Sequence, residues 1–197
     1  MKTVLNATIK SVILSAALST SALSVTLVST IFAFSCVAMA HEKTFPTKQL
    51  NALANTEQHI TFRESAMRPA PDALKEFEKK YDLVFSKGEL AGSLFLGSNT
   101  DKKTTLVAVF LDGKTDKGGT EFGASVSIQG KIVKVKLFSS PETSDATNEE
   151  FLKSLENKSA GELQDMKKTL AKESSQYFVV TLSQKALGRV TSSFAKK

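Results

Sequence analysis

Apolar and polar residues alternate along the middle of the chain, as they do in strands that bury one face. Two stretches on either side of Gly130 have an apolar residue at every second position: Phe122, Ala124, Val126 and Ile128 in the first, and Val133, Val135 and Leu137 in the second. The positions between them are small or polar and include Lys134 and Lys136. The pattern predicts an antiparallel hairpin with one buried face and one face exposed to solvent.

Other stretches indicate strands by their composition. Residues 106–111 are apolar without a break, which favours a central strand covered on both faces. Residues 81–85 and 90–97 flank a Lys-Gly-Glu turn and predict a second hairpin. The run at residues 177–182 contains aromatic and β-branched side chains and predicts a late strand.

Helical spacing, with apolar residues three or four apart, occurs on both sides of this strand-rich region. It covers residues 50–54, 72–80, 148–156, 162–172 and a last segment that carries Leu187, Val190 and Phe194. Asp72 is the expected N-cap of the second of these helices. Strands followed by helices, with one late strand, predict an α+β fold in which an antiparallel sheet of hairpins packs against C-terminal helices.

The first 40 residues have the composition of an export signal. Lys2 and Lys10 are followed by an uncharged stretch that ends in Ala-Met-Ala, so we predict cleavage after Ala40. An uncleaved membrane anchor and lipidation at Cys36 are the alternatives, since the uncharged stretch is long enough to span a bilayer. Each route exports the rest of the chain to the periplasm or beyond, and membrane contact is expected only through an uncleaved N-terminal segment.

The exported part is expected to divide at a segment rich in proline. Residues 41–71 are predicted to hold one helix and a linker, Arg-Pro-Ala-Pro, whose prolines restrict the backbone. Residues 72–197 are then predicted to form the α+β domain. No internal repeat or low-complexity tract follows residue 40.

The scarcity of metal-binding and nucleophilic side chains argues against several kinds of chemistry. Cys36 is the one cysteine, and His41 and His59 are the two histidines, so haem, iron–sulfur and zinc sites built from these residues are not expected. A Ser-His-Asp triad would rest on His59, which lies in a polar stretch and is expected on the surface. Residues 113–120 have the glycine spacing of a phosphate-binding loop, but Gly119 replaces the required lysine, so we expect a turn.

The chain has a net charge of +6. Three of its lysines, Lys131, Lys134 and Lys136, lie on or beside one predicted strand and form a lysine stripe. Such a stripe attracts a phosphate, an anionic lipid head group or an acidic partner. Exposed strand lysines also protect a sheet edge from pairing with another chain. Nucleic acid is not an expected partner, because tryptophan is absent and no aromatic platform is interleaved with arginines.

Several short motifs follow one another between residues 122 and 159. They are the Phe-Gly-x-Ser-Val-x-Ile run at 122–128, Gly130-Lys131-Ile132, the pair Glu142-Thr143, Phe151-Leu152 and Asn157-Lys158-Ser159. Together they resemble the bacterial FMN-binding domain of exported redox proteins, which include the G subunits of Rnf and Na⁺-pumping quinone reductase complexes. The resemblance covers residues 75–195 and implies the α+β fold of that family.

The resemblance also implies where FMN would bind. In the family a Ser-Gly-Ala-Thr-x-Thr-Ser stretch opens a helix near the C-terminus, where free N–H groups hold the flavin phosphate. That stretch aligns with residues 178–183, in which the glycine and alanine are replaced and Thr181 and Ser183 are retained. The implied cofactor-binding residues are Thr181, Ser183, Glu142 and Thr143. Ser183 is also the expected N-cap of the last helix.

Two functions follow from these observations. The first is an exported FMN-binding electron carrier that works with an envelope redox protein or a membrane complex, the flavin supplying the chemistry. The second is a cofactor-free accessory or binding module of the cell envelope that keeps the fold and has lost the flavin site. Neither requires the chain to be an enzyme, and a serine or threonine hydrolase without histidine has no support in the residue spacing.

Overall fold

The computed structural model describes residues 47–54, 59–115, 118–140 and 148–195. Lys43–Lys197 form one compact unit. The helices of the described residues are α1 (Thr47–Leu53), α2 (Pro71–Tyr81), α3 (Lys87–Leu90), α4 (Glu149–Ser154), α5 (Ala160–Lys168) and α6 (Ser175–Phe194). The strands are β1 (Thr61–Ala66), β2 (Ser93–Ser98), β3 (Thr104–Thr115), β4 (Gly118–Ser127) and β5 (Ile132–Ser139). The predicted export signal lies outside the described residues, as do Glu142 and Thr143.

Within the described ranges the strands form one antiparallel sheet in the order β1-β2-β3-β4-β5. This sheet and the helices that follow it confirm the predicted α+β class. β4 and β5 form the predicted hairpin, and Gly130 turns the chain between them with a φ of 73° that favours glycine. None of the helices in these ranges combines the length and apolar composition that crossing a bilayer requires.

The first face of the sheet carries the larger core. Val107, Val109 and Leu111 of β3 lie beside the apolar residues of β4 and pack against α6. α6 contributes several buried residues to this core: Val179, Val180, Leu182, Ala186, Leu187 and Val190. Leu155 and Leu163, both fully buried, add the region around α4 and α5 to the same cluster. Burial of this apolar surface is what holds the helices on the sheet.

The second face is covered in part by α1, so the prediction of a wholly solvated face was wrong for β4. Leu50 and Leu53 pack with Phe95, Ala108 and Phe110 on this face. Ser125 is fully buried beneath them, and its Oγ donates a hydrogen bond to the Leu53 carbonyl at 2.7 Å. The burial of both faces of β3 confirms the prediction of a central strand there. On β5 the face remains partly open, because Lys134 is half-buried and Lys136 is exposed.

The hairpin predicted for residues 81–97 was wrong in its first half. Tyr81 ends α2, and Asp82 caps that helix in the left-handed region with a φ of 50°. The chain then turns inward: the Phe85 N–H donates to Glu78 Oε1 at 2.9 Å, and Leu83 and Phe85 are buried. A capping box at Ser86 opens the short α3, so the expected Lys-Gly-Glu turn is helical. The apolar–polar alternation of residues 81–85 therefore arises because Leu83 and Phe85 are buried in an irregular segment, and not because the segment is a strand.

Two boundaries near the predicted linker also differ from those that the sequence predicts. Asp72 lies in the first turn of α2, whose N-cap is Ala70 without a side-chain cap, because Pro71 already supplies the first helical residue. Residues 61–66, expected before the linker without regular structure, pair with β2 as β1. β1 is an edge strand with mostly exposed side chains, so it lacks the apolar alternation that announces a strand.

Candidate functional site

The segment aligned with the family's FMN motif lies inside a helix. α6 begins at Ser175, and its N-cap Ser174 accepts a hydrogen bond from the Tyr177 N–H at 3.1 Å. The strand predicted for residues 177–182 was therefore wrong. Val179, Val180 and Leu182 face the sheet and are buried in its core, and this tertiary packing outweighs the β-propensity of the run.

Thr181 and Ser183 use their hydroxyl groups within α6. The Thr181 Oγ1 donates to the Tyr177 carbonyl and the Ser183 Oγ to the Val179 carbonyl, each at 2.9 Å. Ser183 is fully buried, and the prediction that it caps a helix was wrong. Free N–H groups at a helix start bind phosphate, whereas those of the helix interior are bonded to carbonyls four residues earlier. These two residues do not fit the FMN phosphate in the way that the family motif requires.

The part of the chain that the structure describes contains no candidate metal site. Within it, no three or more His, Cys, Asp or Glu side chains are grouped so as to hold a metal ion. His59 is exposed, as expected for a surface residue. Residues 113–115 and 118–120 pair with one another as the ends of β3 and β4, so the turn predicted for residues 113–120 was wrong for these six residues.

A groove of about 400 Å³ runs along β5 beside α4. Lys134 and Lys136 of β5 line it together with Lys153 of α4, so it contains two members of the lysine stripe. Two carboxylates also line the groove: Glu149 in the first turn of α4 and Glu156, two residues after that helix. Lys131, the third stripe residue, does not line the groove.

The position of α4 is set by a helix cap and by one core residue. Asn148 Oδ1 accepts a hydrogen bond from the Glu150 N–H at 2.9 Å, which starts the helix. Glu149 and Glu150 occupy its first turn, where negative charge is favourable, as the sequence predicted. Leu155 follows the helix and is fully buried in the sheet core. The groove wall is therefore anchored to the first face of the sheet.

β5 is the end strand of the described sheet, and most of its outer edge is unpaired within the described residues. The Ile132 N–H donates to the Lys158 carbonyl at 2.9 Å, and the Ile132 carbonyl accepts from the Asn157 N–H at 2.7 Å. The segment after α4 thus covers only the beginning of the strand. Among the described residues, no other backbone hydrogen bond reaches this edge between residues 133 and 139. The sequence predicted both strands of the hairpin, but the open edge depends on which elements lie next to it.

A second charged cluster, which no sequence pattern predicted, is buried between α3 and α6. Lys185 Nζ lies 2.6 Å from Glu89 Oε1, and both side chains are largely buried. Burial raises the pKa of Glu89, but hydrogen bonds from Lys185 and Ser86 outweigh it and leave that pKa below its usual value. The ion pair therefore contributes stability above the usual carboxyl range, and this contribution is lost as the pH falls through the lowered pKa.

Arg189 lies one helical turn after Lys185 and is also buried. Its Nη1 donates to the Phe110 carbonyl at 2.7 Å, and its Nε lies 3.0 Å from Met67 Sδ. Burial lowers the pKa of Arg189 to about 10, while the charge of Glu89 acts in the opposite direction, so the guanidinium stays protonated at neutral pH. The contacts of this cluster join α6 to α3 and β3, and they give it a structural role. The only sequence signal is a pair of basic residues four apart on an apolar helix.

Another polar contact lies between α5 and α6. The fully buried Gln184 donates from Nε2 to the Ala160 carbonyl at 3.2 Å and to Gln164 Oε1 at 3.0 Å. Its Oε1 accepts from Lys167 Nζ at 3.4 Å, and that ammonium lies 5.0 Å from the centre of the Tyr177 ring. These groups satisfy one another inside the helix pair, so the groove along β5 remains the better candidate for a binding site.

Comparison of the chain with models of known protein families finds no match, and no curated protein or solved structure matches it either. The resemblance to the FMN-binding domain therefore stays a prediction from the sequence motifs. The candidate site rests on the geometry and charge of the described residues.

Proposed function

We propose that this chain is a cofactor-free binding module of the cell envelope, and that the groove between β5 and α4 binds a protein partner. The observation that carries the proposal is the combination in one groove of three lysines and an open strand edge. Apolar side chains, among them Leu137 and Leu152, line the same groove. An apolar lining supplies affinity and the polar groups supply selectivity. The location in the envelope rests on the export signal predicted from the sequence.

The geometry of α6 favours this function over electron transfer by FMN. The two motif residues that are retained, Thr181 and Ser183, bond to carbonyls of their own helix. A phosphate at this place would have to compete with the backbone bonds of α6 and with the core contacts of Val179 and Val180. We therefore place the partner site on β5 and not on α6.

The FMN hypothesis is tested by absorbance. The full chain is incubated with FMN and desalted, and we expect a colourless protein, because no helix start is available at Thr181. The matched variants are Thr181→Ala and Thr191→Ala, since Thr191 makes the same type of hydroxyl bond four residues back in α6. A flavin band that stays with the wild type and Thr191→Ala but is lost in Thr181→Ala contradicts the proposal. Persistence of that band after denaturation means a covalent bond.

The groove itself is tested by charge reversal. Lys134→Glu combined with Lys136→Glu is compared with Lys102→Glu combined with Lys103→Glu, which makes the same charge change at two exposed residues between β2 and β3. We expect the groove variant to lose proteins that the wild type retains from an envelope extract, and the loop variant to retain them. The same set of retained proteins for all three chains shows that the groove is not the site.

A further inference from the structure

We infer that the partner contributes an extended segment that adds to the outer edge of β5 as another antiparallel or parallel strand, with carboxylates at alternate positions. This inference rests on the proposed function and specifies the partner at the same groove. The chemistry of recognition would be main-chain hydrogen bonding to β5 together with ion pairs to its lysines.

Most of the outer edge of β5 is free of backbone partners among the described residues. Ile132 is the one residue of β5 whose outer backbone groups are bonded within the described part of the chain. After Ile132, through Ser139, every second residue directs both its N–H and its C=O group outward, because only one side of the strand pairs with β4. An added strand of about five or six residues, a common strand length, would match this open stretch.

The two lysines of β5 lie on one side of the strand. Lys134 pairs with Ser125 and Lys136 with Gly123, so both lysines lie on the second face of the sheet. In an added strand, residues two apart would lie opposite these lysines at distances that allow direct side-chain pairing. Carboxylates at those positions would form opposite-charge pairs.

The other side of the groove favours a different kind of side chain. Leu137 lies on the first face, and Leu152 of α4 lines the groove beside it. Glu149, in the first turn of α4, and Glu156, two residues after that helix, also line the groove and would repel a third carboxylate. Apolar residues are therefore expected between the carboxylates of the added segment. The preferred pattern is strict alternation of acidic and apolar residues.

A second copy of the chain is a poor occupant of this edge. Pairing β5 with β5 would bring Lys134 and Lys136 towards the same two lysines, and like charges on neighbouring strands are destabilising. Edge lysines are a common means of preventing such pairing. The same lysines attract an acidic strand, so one feature disfavours self-association and selects the partner.

The inference is tested with labelled peptides and the full chain by fluorescence anisotropy. The probe alternates glutamate and valine over six residues, and its control has the same composition in the order Glu-Glu-Val-Val-Glu-Val, in which no two glutamates are two residues apart. We expect the alternating probe to bind about tenfold more tightly, because only it places carboxylates opposite both lysines while keeping apolar residues towards α4. Equal affinities for the two peptides overturn the inference.

Backbone pairing is tested by N-methylation of the alternating probe. One peptide carries N-methyl groups on the first, third and fifth amides, and another carries them on the second, fourth and sixth. Since only one edge of an added strand meets β5, one of these peptides should bind about tenfold more weakly while the other keeps the affinity of the parent probe. Similar binding by both methylated peptides and the parent contradicts strand addition.

Charge reversal separates the inference from the proposed function. Lys134→Glu with Lys136→Glu should weaken the acidic probe about tenfold and favour a lysine-valine probe, while Lys102→Glu with Lys103→Glu leaves both affinities unchanged. If charge reversal acts but neither methylated peptide is weakened, the groove binds acidic partners without an added strand, and the inference alone fails. If charge reversal has no effect on the probe, both the inference and the proposed site fail.

Discussion

Gly188 shows how one missing side chain sets the distance between α6 and its neighbours. A Cβ atom at this position would lie 2.8 Å from ring carbons of both Phe77 and Phe85. Glycine in a helix interior is normally unfavourable, because it loses more backbone freedom on folding than alanine does. Here it allows two aromatic rings to pack directly on the helix backbone. Close approach therefore outweighs helix propensity at this residue.

We predict that Gly188→Ala lowers the free energy of unfolding by about 1–3 kcal/mol, as overpacking in a core does. Gly161→Ala is the matched control, because Gly161 also lies in a helix and a Cβ there would meet nothing within 4 Å. The control should be neutral or stabilising by up to about 1 kcal/mol. Urea unfolding measures both variants. A stability gain in Gly188→Ala would show that α6 is packed less closely than described.

At the scale of elements, the position at which α6 starts determines whether the residues aligned with the FMN motif lie at a helix start or in a helix interior. Local composition at residues 177–182 favours a strand, and Ser183 followed by Gln184 resembles a helix start. In the fold the helix starts earlier, at the cap formed by Ser174, and the β-branched side chains are buried on its sheet-facing side. The cap and the core together place Thr181 and Ser183 in the helix interior.

Two alanine substitutions distinguish these alternatives. Ser174→Ala should lower the free energy of unfolding by about 1 kcal/mol, because it removes an N-cap. Ser183→Ala should change it by less than about 0.5 kcal/mol, since alanine favours a helix interior and the lost hydroxyl bonds only within α6. Thermal or urea unfolding gives both values. A larger loss in Ser183→Ala than in Ser174→Ala would place the helix start at Ser183.

At the scale of the whole molecule, the sheet depends on helices on both of its faces. The first face is covered by α6 and the region of α4 and α5, and the second face is covered in part by α1. Leu53 of α1 is fully buried, and its carbonyl accepts the hydrogen bond from Ser125. The residues predicted as a segment preceding the domain thus take part in its core. Lys43–Lys197 is the compact unit.

Truncation tests this dependence. A chain that begins at Lys43 should unfold at the same urea concentration as the full chain. A chain that begins at His59 lacks α1 and exposes the second core, so its stability should fall by about 3–6 kcal/mol, the value for two buried leucines. The matched comparison is between the two truncated chains. Equal unfolding midpoints for them would mean that α1 does not stabilise the sheet.

The candidate site was predictable only in part. Lys134 and Lys136 were expected on one face of β5 from alternation, and α4 was expected from helical spacing and its polar first turn. Their meeting in one groove could not be predicted, because it depends on where Leu155 anchors the end of α4. The Glu89–Lys185 pair joins residues far apart in the chain, so no local pattern indicated it. Glu142 and Thr143 lie outside the described residues, and their role in binding FMN stays a prediction.

The sequence by itself determined the α+β class, the β4–β5 hairpin, the central strand β3 and the existence of α4 and α5. These elements bury one regular face, consist of an unbroken apolar run, or carry their own turn and capping residues, so their signals are local. Only the tertiary structure decided that residues 61–66 form an edge strand, that Leu83 and Phe85 enter the core from an irregular segment, and that residues 177–182 are helical. The physical reason is that periodicity records which residues are buried, while the partner that buries them is supplied by distant parts of the chain.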